Sequence, residues 1–163
     1  ELWDVYDADR CPTGRLHRRA EPMGEGEFHL VVYAWIRGGD GRYLLTKRSP
    51  NKGYPNMWEC TGGSALAGDD SLTAALREVR EETGLRLDPM RGRCVASHRV
   101  AGRFEDVWLF ERDVALDELT LQEGETCGAM LARADEILEL RREGRMAPTG
   151  SFELAELLKL MEG

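Results

Sequence analysis

Residues 63–85 read Gly63-Ser64-Ala65-Leu66-Ala67-Gly68-Asp69-Asp70-Ser71, then Leu72-Thr73-Ala74-Ala75-Leu76, then Arg77-Glu78-Val79-Arg80-Glu81-Glu82-Thr83-Gly84-Leu85. If Ser71 to Thr83 is a helix, at about 100° per residue, Leu72, Ala75, Leu76 and Val79 share one face and Glu78, Glu81 and Glu82 share another. The apolar face is expected to be buried. Asp69, Asp70 or Ser71 can cap the start, and Gly84 can end the helix as a left-handed residue. Carboxylates three and four positions apart repel by about 0.2–0.5 kcal/mol per pair, so three of them together call for a cation. Oxygen donors of this kind suit a hard divalent ion, magnesium or manganese, which keeps waters and shares its shell with substrate phosphate.

The chain on either side supplies strands. Leu2 to Tyr6 alternates apolar and polar residues and, across the turn Asp7 to Gly14, faces Arg15 to Arg18, an N-terminal hairpin extension within residues 1–20. Phe28 to Ile36 is almost continuously apolar and predicts a strand buried on both faces. Gly38-Gly39-Asp40-Gly41 is a turn signal, so Arg42 to Lys47 is expected to return antiparallel beside it. A basic loop, Arg48 to Asn56, leads to a short extended piece, Met57 to Thr61, and then to Gly62-Gly63 and a loop over Ser64 to Gly68. After the helix, Gly92 to Val100 and Glu105 to Arg112 read as strands, the second central. Leu121 to Met130 reads as a loop, and Asp135 to Arg142 and Phe152 to Met161 as helices. Strands before and after one strong helix, with helices closing the chain, predict a single α/β domain over 1–163 with a mixed sheet.

Composition narrows the partners. With 163 residues, 42% of them hydrophobic, the chain is long enough for one core. Its formal net charge of −8 argues against a nucleic acid polymer, which recruits a basic field. There is no apolar run of membrane-spanning length and no signal-peptide pattern, so no membrane partner and a cytoplasmic location are expected. Cys11, Cys60, Cys94 and Cys127 are widely spaced and form no C-x-x-C pair, which fits reduced thiols.

Residues 63–85 resemble the Nudix box, G-x5-E-x7-R-E-U-x-E-E-x-G-U with U aliphatic. Gly63, Arg77, Glu78, Val79, Glu81, Glu82, Gly84 and Leu85 match, and Asp69 stands where the pattern has glutamate. Taken alone, Arg-Glu-Val-Arg-Glu-Glu is more often a solvated helix face with surface ion pairs; the glycine and arginine spacing reverses that reading. The resemblance implies an α/β/α sandwich around a mixed sheet and a magnesium- or manganese-dependent hydrolase acting on a small-molecule diphosphate. It further implies metal ligation by Glu78, Glu81, Glu82 and the Gly63 carbonyl, and an Arg77 that orients the glutamates. The proton acceptor is Glu78 or Glu125, although Glu123 and Glu125 read equally well as an acidic surface loop. Asp69 keeps the charge but loses a methylene, which suits a supporting or capping role better than ligation. Lys47, Arg48 and Lys52 concentrate positive charge just before the metal loop, where they could meet phosphate; a solvated loop is the even alternative.

A second, looser likeness covers Leu2 to Gly14, Phe28-His29-Leu30 and Thr46 to Trp58. These segments look like the matching parts of isopentenyl diphosphate isomerase and its Nudix relatives. Where the isomerase has Cys-Gly-His, this chain has Thr61-Gly62-Gly63, so both the catalytic cysteine and a metal-binding histidine are missing. His29 matches another metal-binding histidine but, without partners, reads as structural. Hydrolysis of a nucleoside diphosphate derivative is therefore expected, with an isomerase-like enzyme or a non-catalytic ligand-sensing domain as rivals. The N-terminal hairpin could pair across a homodimer.

Overall fold

The computed structural model describes residues 1–163. In chain order it contains β1 (Leu2–Tyr6), β2 (Pro12–Arg18), β3 (His29–Arg37), β4 (Tyr43–Arg48), β5 (Trp58–Glu59), β6 (Thr61–Ser64), α1 (Ser71–Thr83), β7 (Gly92–Val100), β8 (Arg103–Glu111), β9 (Thr126–Ala132), α2 (Ala134–Arg142) and α3 (Leu154–Glu162). β1 and β2 form the N-terminal hairpin, and the other seven strands form one mixed sheet. β3 runs parallel to β8 along its whole length, from His29 opposite Arg103 to Arg37 opposite Glu111, and antiparallel to β6.

The period of two along β3 explains the layers. Leu30, Val32, Ala34 and Ile36 point to one side, where they pack with Ala74, Ala75 and Val79 of α1. Trp35 and its neighbour Tyr33 point to the other, where Leu157, Leu158 and Met161 of α3 and Ile137 of α2 close the second core. The result is the expected sandwich, with α1 on one face and α2 with α3 on the other. No helix is long and apolar enough to cross a membrane.

Three expectations need correction. β4 does not run along β3: the two strands pair only at Arg37 and Tyr43, after which β6 lies against β3 and β9 against β4. Ser64, expected to open a loop, is strand together with Gly62 and Gly63, which lie beyond the expected extended piece, because Val32 and Val31 supply a ready edge for Gly63 and Ser64. Residues 126–130, read as loop, open β9; its Cys127, Gly128 and Ala129 carry little intrinsic strand preference, and six paired positions on β4 hold it extended.

Helix α1 has the bounds its pattern predicts. Asp70 is the N-cap, accepting from Thr73 N at 2.7 Å, and Gly84 ends the helix at φ 77°. An alanine there would adopt a left-handed conformation costing roughly 1–2 kcal/mol, with its Cβ 3.2 Å from that of Thr120. Gly84→Ala is thus expected to lower stability by about that amount, read as a shifted denaturant midpoint at constant slope.

Candidate active site

One face of α1, the β5–β6 segment and three loops enclose a cavity of about 430 Å³. Arg77 organises its floor. Its guanidinium donates to the Ser64 carbonyl at 3.2 Å, to Asp69 at 3.1 Å, to Glu78 at 3.2 Å and to Glu81 at 3.3 Å, tying the loop before α1 to the carboxylates on it. Asp69 also accepts from Leu66 N at 3.1 Å, so the shorter acid braces the loop, the supporting role expected for it.

Gly63 sits in β6 directly beneath Glu78. A Cβ there would stand 2.8 Å from Glu78 Oε2 and closer still to its other oxygen, so the glycine makes room for the carboxylate. Glu82, one turn on, is partly buried, and its Oε2, shut off from solvent, has no hydrogen-bond partner among the protein groups. Burial pushes Glu82 up to about 8, and repulsion from Glu78 and Glu59 adds to it, with Lys52 and Thr61 opposing. Burial likewise pushes Glu78 up to about 7, against the pull of Arg77. Glu81 is the more exposed of the three and lines the same cavity.

Two loops complete the walls. Gln122 N and Thr126 Oγ1 donate to the carbonyl of Glu82, and Ser49 N donates to that of Glu125, so the loop before β9 is fastened to both α1 and the basic loop. This carries Glu125 into the cavity, ion-paired with Lys52. Arg48 lines the cavity too, paired with Glu59 at 2.7 Å. Lys47 does not join them: its ammonium lies over the Trp58 ring, 5.7 Å from the centroid, and it is absent from the lining. Strand alternation separates the two neighbours, sending Arg48 and Lys47 to opposite sides of β4.

Sequence reasoning missed Glu59, whose charge acts on Glu82. Its signal was an acid inside the apolar run Met57-Trp58-Glu59-Cys60. It missed Tyr33 and Thr149 as well, which reach the cavity only through tertiary packing. His29 is stacked on Trp3 at 4.1 Å with an interplanar angle of 9°, and burial lowers it to about 4, a structural role as expected. Cys60 is buried, and burial raises its thiol well above the ordinary range.

The residues suit a hard divalent ion. Two partly buried carboxylates stand one helical turn apart with one oxygen orphaned, and Gly63 keeps the space against Glu78 open. No three acidic, imidazole or thiol groups converge closely enough to hold an ion by themselves, so a bound ion would need water or phosphate to complete its shell.

The comparisons with known proteins agree with this geometry. The NUDIX domain pattern matches residues 27–151. The chain is 39% identical over 162 residues to the uncharacterized Nudix hydrolase lmo0368 of Listeria monocytogenes, covering 98% of this chain and 95% of that one. It is 23% identical over 161 residues to an isopentenyl-diphosphate Delta-isomerase of Escherichia coli, covering 98% and 79%. Among solved structures, DR0079 from Deinococcus radiodurans shares the fold over 98% of both chains, with a TM-score of 0.77 at 24% identity. Together with a helix that carries three box glutamates, two of them held by one arginine, these matches show that the chain belongs to the Nudix family, as a hydrolase acting on phosphoric anhydride bonds.

Proposed function

We propose that this Nudix hydrolase cleaves the diphosphate linkage of a nucleoside diphosphate derivative with the help of magnesium or manganese. One observation carries the reading: the cavity that must accept an anionic diphosphate is lined by the side chains of Glu1, Glu59, Glu78, Glu81, Glu82 and Glu125, against which only Arg19, Arg48 and Lys52 carry basic side chains. An anion enters such a cavity only together with a cation. Glu78 and Glu82 would hold that ion, with Glu81 and the Gly63 carbonyl at its margin. Bound there, it would neutralise phosphate oxygens and acidify a water for attack on phosphorus.

The chain's own groups then have separate tasks. Arg77 and Gly63 fix Glu78 on the floor of the site, which leaves Glu125, across the cavity and directed by Lys52, to accept the proton. Arg48 and Lys52 meet the phosphate oxygens. In this reading residues 1–163 work as one domain, with the N-terminal hairpin closing one side of the cavity through Arg19.

An isoprenoid diphosphate fits less well. Its tail needs an apolar slot, and Val31, Tyr33 and Cys60 are the only hydrophobic residues in the lining. Incubation with magnesium and, in parallel, a nucleoside diphosphate panel and isopentenyl diphosphate separates the two. Phosphate release from a member of the panel is the expected result; double-bond migration without hydrolysis overturns the reading.

A further inference from the structure

Behind the part of the cavity wall formed by Tyr33, Pro148 and Thr149, a buried carboxylate outside the metal site holds a loop in place. Glu105 of β8 is fully buried. It takes two hydrogen-bond or ion-pair contacts from Arg103, at 2.8 and 2.9 Å, and its other oxygen accepts from Ser151 N at 3.0 Å. The next residue back, Gly150, has φ +63° and lies so close that a Cβ would stand 3.0 Å from the Glu105 carboxyl carbon. His98 of β7 adds a second hold: its Nε2 is 2.7 Å from Ser151 Oγ, and its ring stacks on Phe152 at 3.8 Å. Burying a carboxylate without such partners is strongly unfavourable, so Glu105 fixes the backbone it grips.

The loop held in this way brings Pro148 and Thr149 to the cavity, beside Tyr33 of β3. The Tyr33 ring lies between two glycines: a Cβ on Gly62 would meet its Cδ1 at 2.9 Å, and a Cβ on Gly150 would meet its Cε2 at 2.8 Å. No protein group engages its hydroxyl, and burial together with the nearby Glu105 raises the phenol to about 12, so it remains a hydrogen-bond donor.

We propose that Tyr33 recognises the organic half of the substrate, donating its phenol hydrogen bond to an acceptor on a base or sugar, and that Glu105 is the positioning residue that holds the facing Pro148–Thr149 wall. This rests on the diphosphate reading, because the phosphate end must lie against α1 for the organic end to reach Tyr33. Tyr33 supplies specificity, while Glu105 acts only through the loop.

Two measurements test it. With the nucleotide turned over fastest, Tyr33→Phe is expected to raise KM about five- to tenfold, the loss of one neutral hydrogen bond, and to leave kcat within about twofold. Glu105→Gln and His98→Ala, which loosen the same loop from two sides, are expected to raise KM in the same sense. A wild-type KM in Tyr33→Phe overturns the recognition role, and a wild-type KM in the folded loop variants overturns the positioning role. The second measurement needs no turnover: amide resonances are followed while the wild-type protein is titrated with nucleosides lacking phosphate and, separately, with magnesium pyrophosphate. Nucleosides are expected to move Thr149, Gly150 and Ser151, and magnesium pyrophosphate to move Gly62, Gly63 and Glu82. If pyrophosphate moves its set and nucleosides leave theirs still, the subsite is overturned and the hydrolase reading stands. If pyrophosphate moves nothing, the hydrolase reading fails, and the nucleoside titration alone decides the subsite.

Discussion

Glu82→Gln is expected to lower magnesium-dependent turnover by more than about 100-fold, beyond the loss brought by removing even an outer partner of a metal, while making the metal-free protein more stable at alkaline pH. The two effects have one cause. Glu82 is partly buried beside Glu78 with an oxygen unpartnered, and burial raises it from 4.5 to about 8. Between those values the folded protein keeps a proton that the unfolded chain has released, so stability falls as pH rises through the window. The two carboxylates share one repulsion, and the loss reaches a few kcal/mol, about 1.4 for each pKa unit of the shift, by pH 8. Glutamine carries no charge to bury, so the metal-free variant should show a flatter pH profile and a higher denaturation midpoint than wild type at pH 8. Added magnesium should reverse that order by stabilising only the wild type. Equal turnover in variant and wild type would show that the box is not catalytic in this chain, the outcome a non-catalytic ligand-sensing domain requires.

That helix was the most legible part of the sequence, because every signal for it is local. The Asp70 cap, the Gly84 stop and the apolar stripe ending at Val79 all lie within residues 70–84 and agree with one another. Arg77 was legible for the same reason, since residues one and four positions along a helix are within reach of its long side chain. What the sequence hid is non-local. β6 and β9 contain Gly62, Gly63, Cys127, Gly128 and Ala129, residues with little strand preference of their own, and they are extended because β3 and β4 offer edges. Lys47 and Arg48, read as the end of a strand and the start of a loop, looked like one basic cluster. As the last residues of a strand they part to opposite sides, and only Arg48 reaches the cavity. Glu105 read as the first residue of a central strand; its full burial was concealed by its position beside Asp106 in a charged pair.

The reason for glycine at position 63 also changed on folding. From the pattern it reads as a backbone that approaches a metal. In the fold it lies in a paired strand, and what it provides is space: a Cβ at 63 would collide with the Glu78 carboxylate, the movable end of a side chain, rather than with backbone. Gly63→Ala should therefore fold nearly as well as wild type, within about 1 kcal/mol, while displacing Glu78 from the position Arg77 holds it in. A displacement of about 1 Å can cost a hundredfold in rate, and a loss of that order in kcat is expected. Gly62→Ala makes the opposite case. Its Cβ would meet the Val32 carbonyl at 2.8 Å and the Tyr33 ring at 2.9 Å, both fixed inside the sheet, so the penalty should fall on stability, with a lowered denaturation midpoint. Thermal or denaturant midpoints measured beside turnover for the two variants separate these effects. If Gly63→Ala retains full turnover, Glu78 can act from a second position, and the floor described for the site is not the one the chemistry uses.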